Sequence, residues 1–106
     1  MGSDDVVLLA SAAQDLDNGE AFYEKRRDGL GQYFLQSIFA DLEALKVHAS
    51  VHAKSPINNL HMMRAKRFPY MIYYRVIDEI THVLAILPTR RSPSWTRELL
   101  DQRVAD

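Results

Sequence analysis

The spacing of apolar residues in this 106-residue chain changes at Leu60, and that change restricts the fold more than any other feature. Before Leu60 they recur every three or four positions, and after it every second position. The first spacing buries one stripe of a helix, and the second buries one face of a strand. Helices grouped ahead of consecutive strands give an α+β domain rather than a run of alternating βαβ units.

The individual elements follow from local chemistry. Asp5 to Ala10 (DVVLLA) is a short continuous apolar run and reads as a strand. Ser11 followed by Gln14 has the form of a capping box, so a helix is expected from about Ala12 to Arg26. Its stripe is Ala12, Leu16, Gly19 and Tyr23. Glycine inside a helix costs about 1 kcal/mol relative to alanine, so a close neighbour is expected at Gly19. Asp28, Gly29 and Gly31 interrupt the pattern, and a second helix is expected from Leu30 to His48 with the stripe Leu30, Phe34, Ile38, Leu42 and Leu45. So short a connection folds the two helices into an antiparallel hairpin. Ala49 to Asn59 loses the periodicity and reads as a loop.

Three strands are then expected, near Leu60 to Lys66, Pro69 to Ile77 and Ile80 to Pro88, with Asp78 and Glu79 at a tight turn. Placing Ile77 opposite Ile80 puts Tyr70, Ile72, Tyr74, Val76, Thr81, Val83, Ala85 and Leu87 on one face, the expected core. Met71, Tyr73, Arg75, Ile77, Ile80, His82, Leu84 and Ile86 fall on the other, expected to be half covered and to line a groove. Ser92 and Pro93 form a helix start, and a short helix through about Gln102 closes the order. The expected architecture is one domain over residues 1–106: N-terminal strand, helical hairpin, three-stranded antiparallel meander and short C-terminal helix.

Hydrophobic residues are 47% of the chain and charged residues 25%, which suits one folded core. Cysteine is absent, so disulfides, thiolate metal sites and a cysteine nucleophile are excluded, and a cytoplasmic location is expected. Apolar runs such as Val6 to Ala10 are far shorter than the ~20 residues that cross a bilayer, so no membrane association is expected. Asp4 and Asp5 stand where a signal peptide carries positive charge. Residues 1–59 hold five Lys/Arg against nine Asp/Glu, whereas residues 60–106 hold eight against five, so the C-terminal part is the basic one.

Several constellations have ordinary readings. His48, His52 and His61 lack supporting carboxylates and the HExxH pattern, and read as solvated or capping groups. Lys25, Arg26 and Arg27 suit the C-terminal end of a helix dipole. No serine sits in a GxSxG context. Trp95 with Arg90, Arg91 and Arg97 is either an interface anchor or, through the indole, a plug at the sheet end.

Three phrases carry a family resemblance: FYEKRRDGLGQYF at 22–34, RFPYMIYYRV at 67–76 and VLAILPTRRSPSW at 83–95. In order and spacing they resemble the RelE/ParE superfamily of toxins from bacterial type II toxin–antitoxin modules. The resemblance implies a toxin silenced by a cognate antitoxin, in a hetero-oligomer, with no cofactor. RelE-like members cut messenger RNA on the ribosome, and ParE-like members poison DNA gyrase. The arginine that follows the middle-strand aromatic in ribosome-dependent members corresponds here to Met71, and many ParE-like sequences have histidine where Pro88 stands. Arg91 matches the arginine commonly kept after the last strand, and Arg64 falls near a position basic in the nucleases. The resemblance therefore favours a ParE-like plasmid stabilisation toxin with a partner surface of Arg64, Tyr73, Arg75, Arg90, Arg91 and Trp95. Two alternatives stand beside it: an endoribonuclease using Arg64, Arg75 and Arg91, and a degenerate member kept as a binding module.

Overall fold

The computed structural model describes residues 5–48 and 59–105. Its elements run β1 (Val6–Leu8), α1 (Ala10–Glu24), α2 (Leu30–His48), β2 (His61–Arg64), β3 (Tyr70–Ile77), β4 (Ile80–Pro88) and α3 (Pro93–Ala105). Asp78 and Glu79 both take positive φ, 51° and 65°, as two-residue hairpin turns require, and Ile77 pairs with Ile80 as expected. The meander β2-β3-β4 is antiparallel, and β1 joins it parallel to β4, giving the order β1-β4-β3-β2. Of the loop expected over residues 49–59, residues 49–58, with His52 among them, lie outside the described residues, as does the side chain of His48; Asn59 is in a turn, and His61 stacks on Tyr74.

The helical hairpin covers one sheet face. Ala12, Leu16, Phe34, Ile38, Leu42 and Leu45 meet Tyr70, Ile72, Tyr74, Val83 and Ile86 in one buried cluster. Close approach at Gly19 is real: a Cβ there would stand 2.5 Å from the Phe34 ring. The link between the helices is tied by Glu24, whose carboxylate accepts the N–H groups of Gly29 and Gly31 at 3.0 and 2.9 Å. Those are among the free donors at the start of α2. Gly29 itself takes a φ of 87°, the left-handed region that favours glycine.

Three expectations need correction. First, α1 begins at Ala10 with Leu9 as its N-cap and no side-chain cap, so Ser11 and Gln14 form no capping box. The Ser11 hydroxyl instead donates to the Leu84 carbonyl at 3.0 Å, and the Gln14 amide donates to Asn18. Second, Tyr74 pairs with Val83 but Tyr73 with Ala85, so Leu84 is an extra residue in β4 and the strand bulges. Beyond the bulge the alternation reverses. Ile86 joins the hairpin face, while Ala85 and Leu87 turn to the other, where Leu84 already lies as expected; Val76, expected in the core, sits beside the hairpin turn and is 41% exposed. Third, that other face is no half-open groove over most of its length, because α3 lies on it. Leu100 of α3 is fully buried with Leu60, Tyr73, Leu84, Ala85 and Leu87. The Ser92 cap of α3 is as expected, its hydroxyl accepting the Trp95 N–H at 3.2 Å.

Because β1 pairs only with Thr81 to Val83, the rest of that edge of β4 needs other partners. Side chains supply them. The carboxylate of Asp15 on α1 accepts the Ile86 N–H at 2.9 Å. The guanidinium of Arg103 on α3 grips both carboxylate oxygens of Asp15, one at 2.9 Å, and donates to the Leu84 carbonyl at 3.1 Å. Asp15 and Arg103 are 8% and 15% exposed, so the pair is a buried one that closes the sheet edge at the bulge. Among the described residues, no helix is long and apolar enough to cross a membrane.

Candidate functional site

Strand β4 ends at Pro88, and the chain turns through residues 89–92 into α3. This turn is anchored to the start of β3, since the Thr89 N–H and hydroxyl both donate to the Pro69 carbonyl at 2.9 and 3.2 Å. A concave site opens on each side of the anchored turn, and Pro88 and Arg91 line both.

The first site, about 360 Å³, lies on the α3 side of the sheet. Pairing in register brings Arg64 beside Met71 and Met62 beside Tyr73, so the three strand ends form its floor. Arg91 and Arg97 reach it from the turn and from α3, so Arg64, Arg91 and Arg97 rim an apolar base of Met62, Met71, Tyr73 and Pro88. Tyr73 is 8% exposed, making it floor rather than an open contact surface, and burial pushes its hydroxyl above the usual phenol range.

The second site, about 330 Å³, is a cleft between α1 and α3 at the open edge of β4. Arg90 stacks 4.7 Å from the centre of the Phe22 ring, and Arg26 stacks on the same ring at 4.3 Å. Across the cleft, Arg91 stacks 4.5 Å from Trp95. Ring faces attract guanidinium charge and fix its position without neutralising it. Tyr23 and Tyr70 sit behind this wall, and burial raises both hydroxyls while Arg90 pulls in the opposite direction.

Of the residues singled out from sequence, Arg64, Tyr73 and Arg91 share the first site, and Arg90, Arg91 and Trp95 share the second. Arg75 joins neither. It pairs with His82 near the hairpin end, four strand residues or roughly 13 Å from Met71. Its Nε and the Nδ1 of His82 are buried with no hydrogen-bond partner among the described residues. An arrangement of Arg64, Arg75 and Arg91 around one phosphate is thus not what the fold provides. Sequence reasoning missed Phe22, although an aromatic lying off the apolar stripe of α1 is a signal that it faces outward. It also missed Asp15 and Arg103.

A family described as the ParE toxin of type II toxin-antitoxin system, parDE, matches residues 6–93. The chain belongs to the ParE toxin family. Its fold is similar to that of a chain in the chromosomal ParDE TA system from P. aeruginosa, with a TM-score of 0.69 at 21% sequence identity. That likeness covers 81% of this chain and 96% of the other. No curated protein matches the chain in sequence. The ParE match takes in β1, both helices of the hairpin, the meander and the turn that carries Arg90 and Arg91.

Proposed function

We propose that this ParE-family toxin acts by binding DNA gyrase rather than by cutting RNA, and that a cognate antitoxin silences it. The observation that carries the reading is the lining of the first site. Cleavage of RNA through the 2′-hydroxyl needs a group to take that proton and another to return one to the leaving oxygen. Arg64, Arg91 and Arg97 supply charge but exchange no protons near neutral pH. Tyr73, the other titratable side chain there, is held protonated by burial. Met71 occupies the centre of the floor and brings neither charge nor a proton. Such a surface suits gripping a macromolecule: cations at the rim, packed apolar side chains beneath, and a stacked tryptophan beside them.

The working surface in this proposal is Arg64, Arg91 and Trp95, with Arg90 on the adjoining wall and Arg97, grouped with Trp95 in the sequence, at the rim. Tyr73 serves as support beneath it, and Arg75 contributes only where a large partner extends to the hairpin end. The test uses purified toxin with gyrase and relaxed plasmid, and in parallel with translating ribosomes and messenger RNA. Supercoiling should be blocked, relieved by the antitoxin, and transcripts should stay intact. Cleaved transcripts with supercoiling unaffected would establish the RelE-like alternative instead. Normal growth on induction, with neither effect, would leave only a binding role.

A further inference from the structure

The cleft between α1 and α3 is distinct in chemistry from the first site. Its rim carries Arg90 and Arg91, and neither forms an ion pair among the described residues. Its depth is apolar, with Ile86, Leu87 and Leu99. The charged groups at its inner end are already committed, since Asp15 and Arg103 bond each other and the backbone of β4. A nucleotide would find cations for its phosphate, but Asp15 and Arg103, the charged groups at the inner end, are not free to read its edge. A peptide that places an aliphatic side chain in the depth and a carboxylate at the rim matches both the apolar lining and the two guanidiniums.

We infer that this cleft is the receptor for an aliphatic residue next to an Asp or Glu in an extended segment of the antitoxin. This rests on the reading that an antitoxin partners the chain. Three observations support it. The cavity of about 330 Å³ is at the small end of ligand-pocket volumes and too small to seat a helix, which is ~10 Å across. The two guanidiniums are fixed in place by the Phe22 and Trp95 rings, so little side-chain freedom is lost when a carboxylate arrives. Finally, Arg91 and Pro88 line both sites, so a segment seated in the cleft and crossing the turn occupies the residue that the first site needs. Silencing then follows from one shared arginine, without any change of fold.

Trp95 is the chain's sole tryptophan, so its fluorescence reports on the cleft wall directly. The experiment titrates the toxin, and its Arg90→Gln and Phe22→Ala variants, with the antitoxin encoded beside it, at low and high salt. Binding should shift the Trp95 emission. Arg90→Gln should weaken affinity at least tenfold and flatten its salt dependence, and Phe22→Ala should weaken it by releasing Arg90. Arg90 is exposed, so folding of the first variant, checked by circular dichroism, should be intact. A complex that forms with Trp95 emission unchanged and Arg90→Gln within twofold of the parent would overturn the inference while leaving the partnership standing. No complex at all would overturn the partnership, and the inference with it.

Discussion

Removing Asp15 should cost more stability than its single position on α1 suggests, because three structural elements converge on its carboxylate. Asp15→Ala takes the acceptor from the Ile86 N–H and strips Arg103, 15% exposed, of its counter-charge. Removing one member of a buried pair costs ~3–5 kcal/mol, most of it from the charge left behind. Asp15→Asn keeps an acceptor for Ile86 but not the charge, and should fall nearly as far. Arg103→Met strands the carboxylate, although Leu84 keeps the Ser11 hydroxyl on its carbonyl. The double variant Asp15→Asn/Arg103→Met leaves no buried charge and both backbone groups bonded. It should lose only about 1–2 kcal/mol, so the two single costs should fail to add by at least ~2 kcal/mol. Urea unfolding of the four proteins measures this, with the slope m unchanged if the native and unfolded states keep their extents. Additive losses, or an Asp15→Ala cost under about 1 kcal/mol, would refute the idea that this pair closes the sheet edge.

Other perturbations follow from the same structure. Glu79 sits at φ 65°, where a side chain with a Cβ is strained, so Glu79→Gly should raise the unfolding midpoint, stabilising by about 0.5–1 kcal/mol. A lower midpoint in thermal melts would count against the turn geometry. Gly19→Ala should destabilise by about 1–2 kcal/mol despite its better helix propensity, because the new Cβ meets the buried Phe34 ring. A gain in stability would show that the ring yields. Burial raises the Asp41 carboxyl above its ordinary value, against the opposing pull of the Lys66 N–H and the Lys66 and Arg67 charges. The folded state then holds that proton more tightly than the unfolded chain, so stability falls as pH rises from the unfolded value through the raised one. Asp41→Asn, which keeps an acceptor for Lys66, should therefore stabilise at neutral pH and lose its advantage near pH 3, as read from denaturation at both pH values.

Much of this fold is legible in the sequence where a pattern has one cause. The helical stripes of α1 and α2, the Ile77–Ile80 register and the Ser92 cap are each set by neighbours a few residues apart. The bulge at Leu84 is not legible, because β4 is covered on both faces and VLAIL carries no alternation to break. Ser11 shows the limit of a local motif. The spacing to Gln14 fits a cap, but the Leu84 carbonyl, 73 positions away, takes the hydroxyl instead. The same holds at the candidate site. Arg64 and Arg91 can be read as neighbours because both flank strand ends, and Arg75 is set apart by simple strand length. Phe22 acquires its role only from Arg90, which arrives from the far end of β4.

Strand β4 takes its hydrogen-bonding neighbours from both ends of the sequence, β1 on one side and Arg103 at the bulge. Both recesses beside the turn borrow walls from α3, the cleft through Trp95, Leu99 and Arg103 and the other through Pro93, Thr96 and Arg97. Lifting that one helix off the sheet would therefore break the Asp15–Arg103 clasp and dismantle both recesses in a single event.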